Sequence, residues 1–552
     1  MPGIFAARIA MSEKSRSNRK KCASVLAGLV TNCYLLIVLM AISAGIAGCG
    51  SGSAARPSST PTPTPTPTPN PTATITSIAP NSAPAGGLPF TLTLSGSSFL
   101  PASQVQWNGS SRATTFVSSI QLQAHIMTAD LAAPGKVSVT VLNPAPGGGT
   151  SNAATFTVPA PTIAFLSERA LDGSDALNAN STENIWVMNL DGSGAVPLTK
   201  LTTAGTGNPA WSPDGGKIAY ESIRALDGSD GINTNGTSNI WVMNEDGTDP
   251  RPLTSITALN GGSFQPAWSR DGAKMVFDSE RALNGADNSS HTLNIWVVNA
   301  DGSGATPLTK LTTTAVGDIT SFPAFSPDGS KIAFQSSQAL DGSDAANTNG
   351  TANIWVVNLD GSSAKPLTKL TAADADSLSP VWSSDGSKIA FISRRALDGS
   401  DAANTNNILN IWTINPDGGG AAPLTQLTAS GASSFNPVWS PDGGKLSFQG
   451  PRALDASDAL NTNSTFNIWT VHADGSSPTP LTKLTASGSN STQAKWTPDS
   501  SKVVFTSRRA LDGSDAANTG STANIWVVNA DGSGATPLTR LTKAGSESPD
   551  IP

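Results

Sequence analysis

The triplet Asn-Ile-Trp recurs seven times in this 552-residue chain, with its Trp at 186, 241, 296, 355, 412, 469 and 526. The intervals are 55, 55, 59, 57, 57 and 57 residues. A fixed period of that size demands a repeat architecture, in which each unit buries its apolar face against its neighbours. One unit runs from Phe322-Pro323-Ala324-Phe325-Ser326-Pro327-Asp328-Gly329 to Pro366-Leu367-Thr368. It holds four β-type segments: Pro-Ala-Trp/Phe, Lys331-Ile332-Ala333-Phe334, Asn353-Ile354-Trp355-Val356-Val357-Asn358 and Pro-Leu-Thr. Asp328-Gly329 and Asp360-Gly361 make the first and last connections tight, because Asp-Gly suits hairpin turns with positive φ. Four antiparallel strands per unit, seven times over, predict a seven-bladed β-propeller. No helix-period segment appears within a unit.

The ends of the repeat region fit a closed ring. It opens at Ile163-Ala164-Phe165, a second strand, so the first unit lacks a Pro-Ala-Trp strand of its own. The chain ends in Ser546-Glu547-Ser548-Pro549-Asp550-Ile551-Pro552, which resembles the missing strand and is expected to complete the first blade and leave no open edge. The motif Trp211-Ser212-Pro213-Asp214-Gly215-Gly216-Lys217-Ile218-Ala219-Tyr220, followed by Ile-Trp-Val-x-Asn-x-Asp-Gly and Pro-Leu-Thr, resembles the TolB-type, WD40-like propeller repeat across residues 160–552. That resemblance implies a periplasmic or surface propeller that binds proteins or polymers, without fixing one function.

Three shorter regions precede the repeats. Residues 1–48 read as an export signal: Arg19-Lys20-Lys21, then an apolar run from Ala23 to Gly48. Met11 is an alternative start, since the ten residues before it add nothing to the pattern. Ile46-Ala47-Gly48-Cys49 resembles a bacterial lipobox, which implies lipidation of Cys49; the competing reading is a single membrane-spanning anchor. Cys22, Cys33 and Cys49 all lie here, so the exported part has no disulfide. Residues 49–73 are a Pro/Thr-rich linker, extended and unable to join a sheet because alternating Pro removes backbone donors. Residues 74–158 alternate in period two between Gly/Pro/Ser turns, the pattern of a β-sandwich. Ile78-Ala79-Pro80-Asn81, Gly96-Ser97-Ser98-Phe99, Val105-Gln106-Trp107-Asn108-Gly109 and Asn143-Pro144 resemble the IPT/TIG immunoglobulin-like domain, which makes Trp107 core. The fold class is therefore all-β: an immunoglobulin-like sandwich followed by a seven-bladed propeller.

Charge narrows the partners. Residues 1–48 hold six Lys/Arg and one acid, leaving 27 of the 33 bases against 39 of the 40 acids for the rest. An acidic exported chain is repelled by phosphate backbones, which excludes nucleic acid as partner. The expected partners are an envelope protein or an extracellular polymer, with the membrane reached through the lipid anchor.

The candidate site is the long connection between the second and third strands, as in Arg395-Ala396-Leu397-Asp398-Gly399-Ser400-Asp401-Ala402-Ala403-Asn404. Its acids are Asp172 and Asp175, Asp227 and Asp230, Asp341 and Asp344, Asp398 and Asp401, Asp455 and Asp458, and Asp512 and Asp515. Unit three departs, with Asn284 and Asp287. Asn178, Asn233, Asn347, Asn404, Asn461 and Asn518 follow three residues after the second Asp. Long ordered loops tend to carry function, and oxygen-rich loops suit Ca2+, so these acids are the candidate calcium ligands of a crown on one face. Structural turns capped by Asp and Asn are the competing reading, with the preceding Arg (169, 224, 281, 395, 452, 509; Gln338 in unit four) neutralising an Asp. No catalytic residue stands out: His125, His291 and His472 occupy unrelated positions, and no His or Cys pair is spaced to hold a transition metal. A non-catalytic binding protein is the expected function; a polysaccharide-active lyase using these Asp residues and Ca2+ is the alternative.

Overall fold

The computed structural model describes residues 68–87, 89–259, 261–284, 289–312 and 320–544. The signal segment, Cys49 and the closing segment 546–552 lie outside these residues. The end of the linker is already held by the sandwich: Asn70 N–H donates to the Pro146 carbonyl at 2.7 Å, and its Nδ2 to Pro144 at 2.8 Å.

Residues 74–158 form two packed sheets. One pairs Thr74–Ala79, Phe90–Ser97, Gln121–Ile126 and Thr114–Ser118 in that order; the other centres on Gly135–Asn143, flanked by Gln104–Trp107 and Ala154–Val158. Alternating residues point inward, so Leu92, Leu94, Val105, Leu122, Val139 and Val141 fill one core. Trp107 is buried there, 4.9 Å from the Phe156 ring.

The described residues between 162 and 544 form seven sheets. Six have four strands in sequence order; the first has three, Thr162–Ser167, Asn184–Asn189 and Val196–Pro197. In the fourth blade the strands are Ser321–Phe325, Lys331–Ser336, Asn353–Asn358 and Lys365–Pro366. From the second blade to the seventh, the first strand of each packs on the first strand of the next, which places these strands innermost. The outer strand is shorter than its Pro-Leu-Thr motif promises. After Pro366 the Leu367 N–H bonds back to the Ile354 carbonyl at 2.7 Å, and Thr368 Oγ1 accepts the Ile354 N–H at 2.9 Å. A side chain has replaced the ladder.

Each Asn-Ile-Trp does two jobs. The Asn is fully buried and clamps the exit of the outer strand: Asn353 Oδ1 accepts Thr368 Oγ1 and the Leu370 N–H, while Nδ2 donates to the Leu370 carbonyl. The Trp fills the seam with the preceding blade. Trp241 packs with Ala164, Leu166 and Ile185, and Trp296 with Ala219, Ile240 and Val242. The last seam closes the circle, since Trp186 and Phe165 of the first blade cluster with Val504, Ile525 and Val527 of the seventh. Inner-strand Trp268, Trp382 and Trp496 donate Nε1–H to carbonyls of a preceding inner strand, at 3.0, 3.1 and 3.2 Å.

Candidate functional site: the crown loops

Second-to-third-strand connections leave the blade at the end opposite the Asp-Gly hairpins, so all emerge on one face. Each described one folds alike. Its base is a bridge between the Arg position and a residue eight further on, such as Arg395 with Ala403, and its end is a three-residue 3-10 turn, such as Thr405–Asn407. That turn is too short to show as helical periodicity in the sequence. It requires a left-handed residue, and Asn180, Asn235, Asn349, Asn406, Asn463 and Gly520 supply it, with φ between 55° and 71°.

The paired acids separate into two roles. The first Asp caps its own turn: Asp172, Asp227, Asp341, Asp398, Asp455 and Asp512 each accept, on Oδ1, the N–H of the Ser two residues on. These carboxyls are fully exposed. The Ser400 N–H and hydroxyl hold Asp398 below the ordinary carboxylate range.

The second Asp reaches across the seam. Asp230 accepts the Thr202 N–H at 2.9 Å and the Thr202 hydroxyl at 2.6 Å from the preceding blade. Asp344 receives Thr312, Asp401 receives Thr371, Asp458 receives Thr428 and Asp515 receives Thr485 in the same way. Asp175 of the first blade takes the N–H and hydroxyl of Thr542 in the seventh, at 2.9 and 2.6 Å, so the clasp also closes the ring. For Asp401 burial opposes the charge, but the Thr371 and Ala372 donors outweigh it and hold the carboxyl below its ordinary value.

The Asn and Arg of the loop are held by other partners as well. The Asn three residues after the second Asp faces inward: buried Asn347 donates Nδ2 to the carbonyls of Thr351 and Leu370, which pins the loop to its blade. The Arg stacks on the Trp of the Asn-Ile-Trp triplet, with the crown carboxylates near enough to act on its charge. Arg395 lies 4.9 Å above the Trp412 ring and donates Nη2 to the Gly399 carbonyl; Arg169, Arg224, Arg281, Arg452 and Arg509 lie over Trp186, Trp241, Trp296, Trp469 and Trp526 in the same way. A guanidinium stacks on an indole face with its stem desolvated, which a sequence offers no signal for beyond an Arg placed before the loop. Burial lowers the Arg395 pKa while the charges of Asp401 and Asp398 oppose that. Among the described residues no three His, Cys, Asp or Glu side chains converge as a metal site. His125 and His472 are exposed.

The two ends of the propeller differ in what covers them. At the hairpin end Ser82 of the sandwich donates to the Asp214 carbonyl at 3.2 Å, and Gly86 lies so close to Asp499 that an added Cβ would stand 2.8 Å from the Asp499 Cβ. Arg270, in a hairpin of the third blade, reaches the Ser384 carbonyl in the fifth at 3.4 Å. The crown end instead exposes Leu177, Ile232, Leu259 and Leu460, at 44, 52, 62 and 38%.

The IPT/TIG domain model matches residues 73–158, the segment whose two-sheet core is built around Trp107. Residues 73–158 are an IPT/TIG domain. The chain joins this IPT/TIG domain to a ring of repeated β-sheets. A curated relative, the uncharacterized peptidase YuxL of Bacillus subtilis (strain 168), is 34% identical over 130 residues, 24% of this chain and 17% of its own length. The putative TolB of Agrobacterium tumefaciens is a similar solved structure at 15% identity and TM-score 0.36, covering 59% of this chain and 90% of its own. TolB of Acinetobacter baumannii shows 16% identity and TM-score 0.36 over 69% of this chain and 81% of its own. An oligogalacturonate lyase in complex with manganese shows 14% identity and TM-score 0.43 over 72% and 94%. These likenesses span a variety of proteins, enzymes among them, and none transfers its activity to the chain beyond the IPT/TIG domain.

Proposed function

We propose that this is an exported binding protein, anchored to the cell envelope through a lipid on Cys49, that offers the crown face of its propeller to an envelope protein or extracellular polymer. The supporting observation is the contrast between ends: the sandwich and Arg270 occupy the hairpin end, while exposed apolar side chains stand on the crown. Contiguous exposed apolar surface marks an interaction site, and Leu177 and Ile232 hold the same loop position in adjacent blades. In this reading the Pro-Thr alternation from Pro61 to Pro69 serves as a semi-rigid spacer after the lipid.

The test is capture from envelope extracts by the full chain and by Leu177→Ser/Ile232→Ser/Leu460→Ser. The reading expects a partner retained by the wild type and lost by the triple variant at unchanged melting temperature. Equal capture by both, or turnover of a uronate-containing polysaccharide by the wild type, overturns it. Anchoring has its own measurement: labelled palmitate enters the wild type and not Cys49→Ser.

A further inference from the structure

One position of the second strand recurs around the ring as Leu166, Glu221, Asp278, Gln335, Ile392, Gln449 and Thr506. At three seams its side chain reaches the inner strand of the next blade. Glu221 Oε1 accepts the Gln265 N–H at 2.6 Å, Gln335 Oε1 the Ser379 N–H at 2.8 Å, and Gln449 Oε1 the Gln493 N–H at 2.6 Å. The donors sit at φ of 55°, 54° and 55° in a bulge of the inner strand, which turns their N–H away from their own ladder.

Asp278 breaks the series. It is one methylene shorter than Glu or Gln. The matching donor on the fourth blade, the Phe322 N–H, goes instead to Gln265 Oε1 at 2.8 Å. Asp278 Oδ1 is left with no hydrogen-bond partner although the residue is 2% exposed. A buried carboxylate oxygen without a donor is costly, and the neutral acid is the less costly form.

Among the described residues no cation is paired with Asp278. Glu221 comes from the second blade, and Glu280 stands two residues along the same strand. The flanking inner strands Ser263–Trp268 and Ser321–Phe325 carry no titratable side chain, nor do residues 292–299 of the third strand. Lys217 and Lys274, at the hairpin ends of their strands, bond to Asn244 and Asn299. Burial, then Glu221 and Glu280, push the Asp278 carboxyl well above its ordinary value.

We propose that Asp278 is a proton-operated seam: the inner junction of the third and fourth blades is closed while Asp278 carries a proton and loosens when the proton leaves. The native state then binds this proton more tightly than the unfolded chain. Its stabilising share is complete below the ordinary Asp range and is lost as pH rises through the raised value.

The test compares the full chain with Asp278→Asn, which keeps the shape and cannot ionise. Between pH 5 and pH 8 the wild-type melting temperature should fall by roughly 2–4 °C more than that of the variant. Amide exchange on the wild type gives a second reading that needs no variant. Protection of the Phe322 N–H, corrected for intrinsic base catalysis, should drop at least about tenfold across that range, while the Ser379 N–H at the fifth blade keeps its protection. Parallel melting curves, or equal changes at Phe322 and Ser379, overturn the proposal.

Discussion

The IPT/TIG domain gathers eighteen buried apolar residues, Ala73 to Val158, into one core around Phe99, Trp107 and Phe156. The propeller divides its interior among seven inter-blade clusters, none of which spans more than two adjacent blades. In the sandwich any large defect is felt by every strand. In the ring a defect belongs to one seam, and the six remaining seams are intact. Repeat packing thus trades the cooperativity of one core for tolerance of local faults.

The strongest way to break this contrast is a matched pair of aromatic deletions. Trp107→Ala and Trp355→Ala remove the same side chain from fully packed sites, at about 3–5 kcal/mol each. Calorimetry should lose the sandwich transition in the first variant and only lower the propeller transition in the second. Similar behaviour of both would show that the propeller also melts as one core. Next in size is Asn353→Ala, which strands the Thr368 hydroxyl and two backbone groups of Leu370 and is expected to cost about 2–3 kcal/mol by chemical denaturation.

pH should separate the regions by sign. In the sandwich, burial opposes the charge on Asp130, but the Arg112 hydrogen bonds at 2.6 and 3.0 Å, the Met127 N–H and the Arg112 charge together hold it below its ordinary value. Its share of stability is present above the ordinary Asp range and is lost as pH falls through the lowered value. Asp278 in the propeller runs the opposite way. Melting curves at pH 3, 5 and 8 should show the sandwich weakening toward acid and the third-to-fourth seam weakening toward base; one shared trend would remove the distinction.

The crown gives the smallest effects. Asp175→Ala removes the clasp between the seventh and first blades, about 0.5–1 kcal/mol for so exposed a group. It should cost more than Asp401→Ala, because peptide linkage still joins the blades on either side of Asp401. Calcium is expected to move the melting temperature by less than about 1 °C, since both oxygens of Asp230 and Asp515 already accept bonds and weak binding adds little by mass action. A calcium-dependent rise that disappears in Asp398→Asn/Asp401→Asn would sink that expectation and make the loops a cation site.

The repeat, its strands and the hairpins were legible because period-two alternation, Asp-Gly turns and a fixed interval are local signals. The outer strand is shorter than its sequence suggests, since the motif Pro366-Leu367-Thr368 looks like a strand although Thr368 spends its hydroxyl on the Asn353 clamp. At the crown, two Asp three residues apart read as one liganding pair. Their separation into a turn cap and a clasp depends on a Thr some thirty residues upstream, on another blade, which composition cannot show. Asp278 was hidden for the same reason. Nothing in Lys274-Met275-Val276-Phe277-Asp278 announces that its neighbour across the seam has already given away its N–H.

The bond from Thr542 to Asp175 joins residues 367 apart in the chain, whereas the other described clasps join residues 28 to 32 apart. Most of the ring can therefore assemble in the order of synthesis, each blade finding its partner soon after it emerges. The first blade has no such partner until the last has been made. Through that interval its outward seam, with Phe165 and Trp186, stands open to water. Loop closure over such a distance is entropically costly but grows only with the logarithm of length, so the penalty is mainly one of time. A propeller missing its seventh blade has nothing to lock it shut, so the ring closes only once the last repeat has been made.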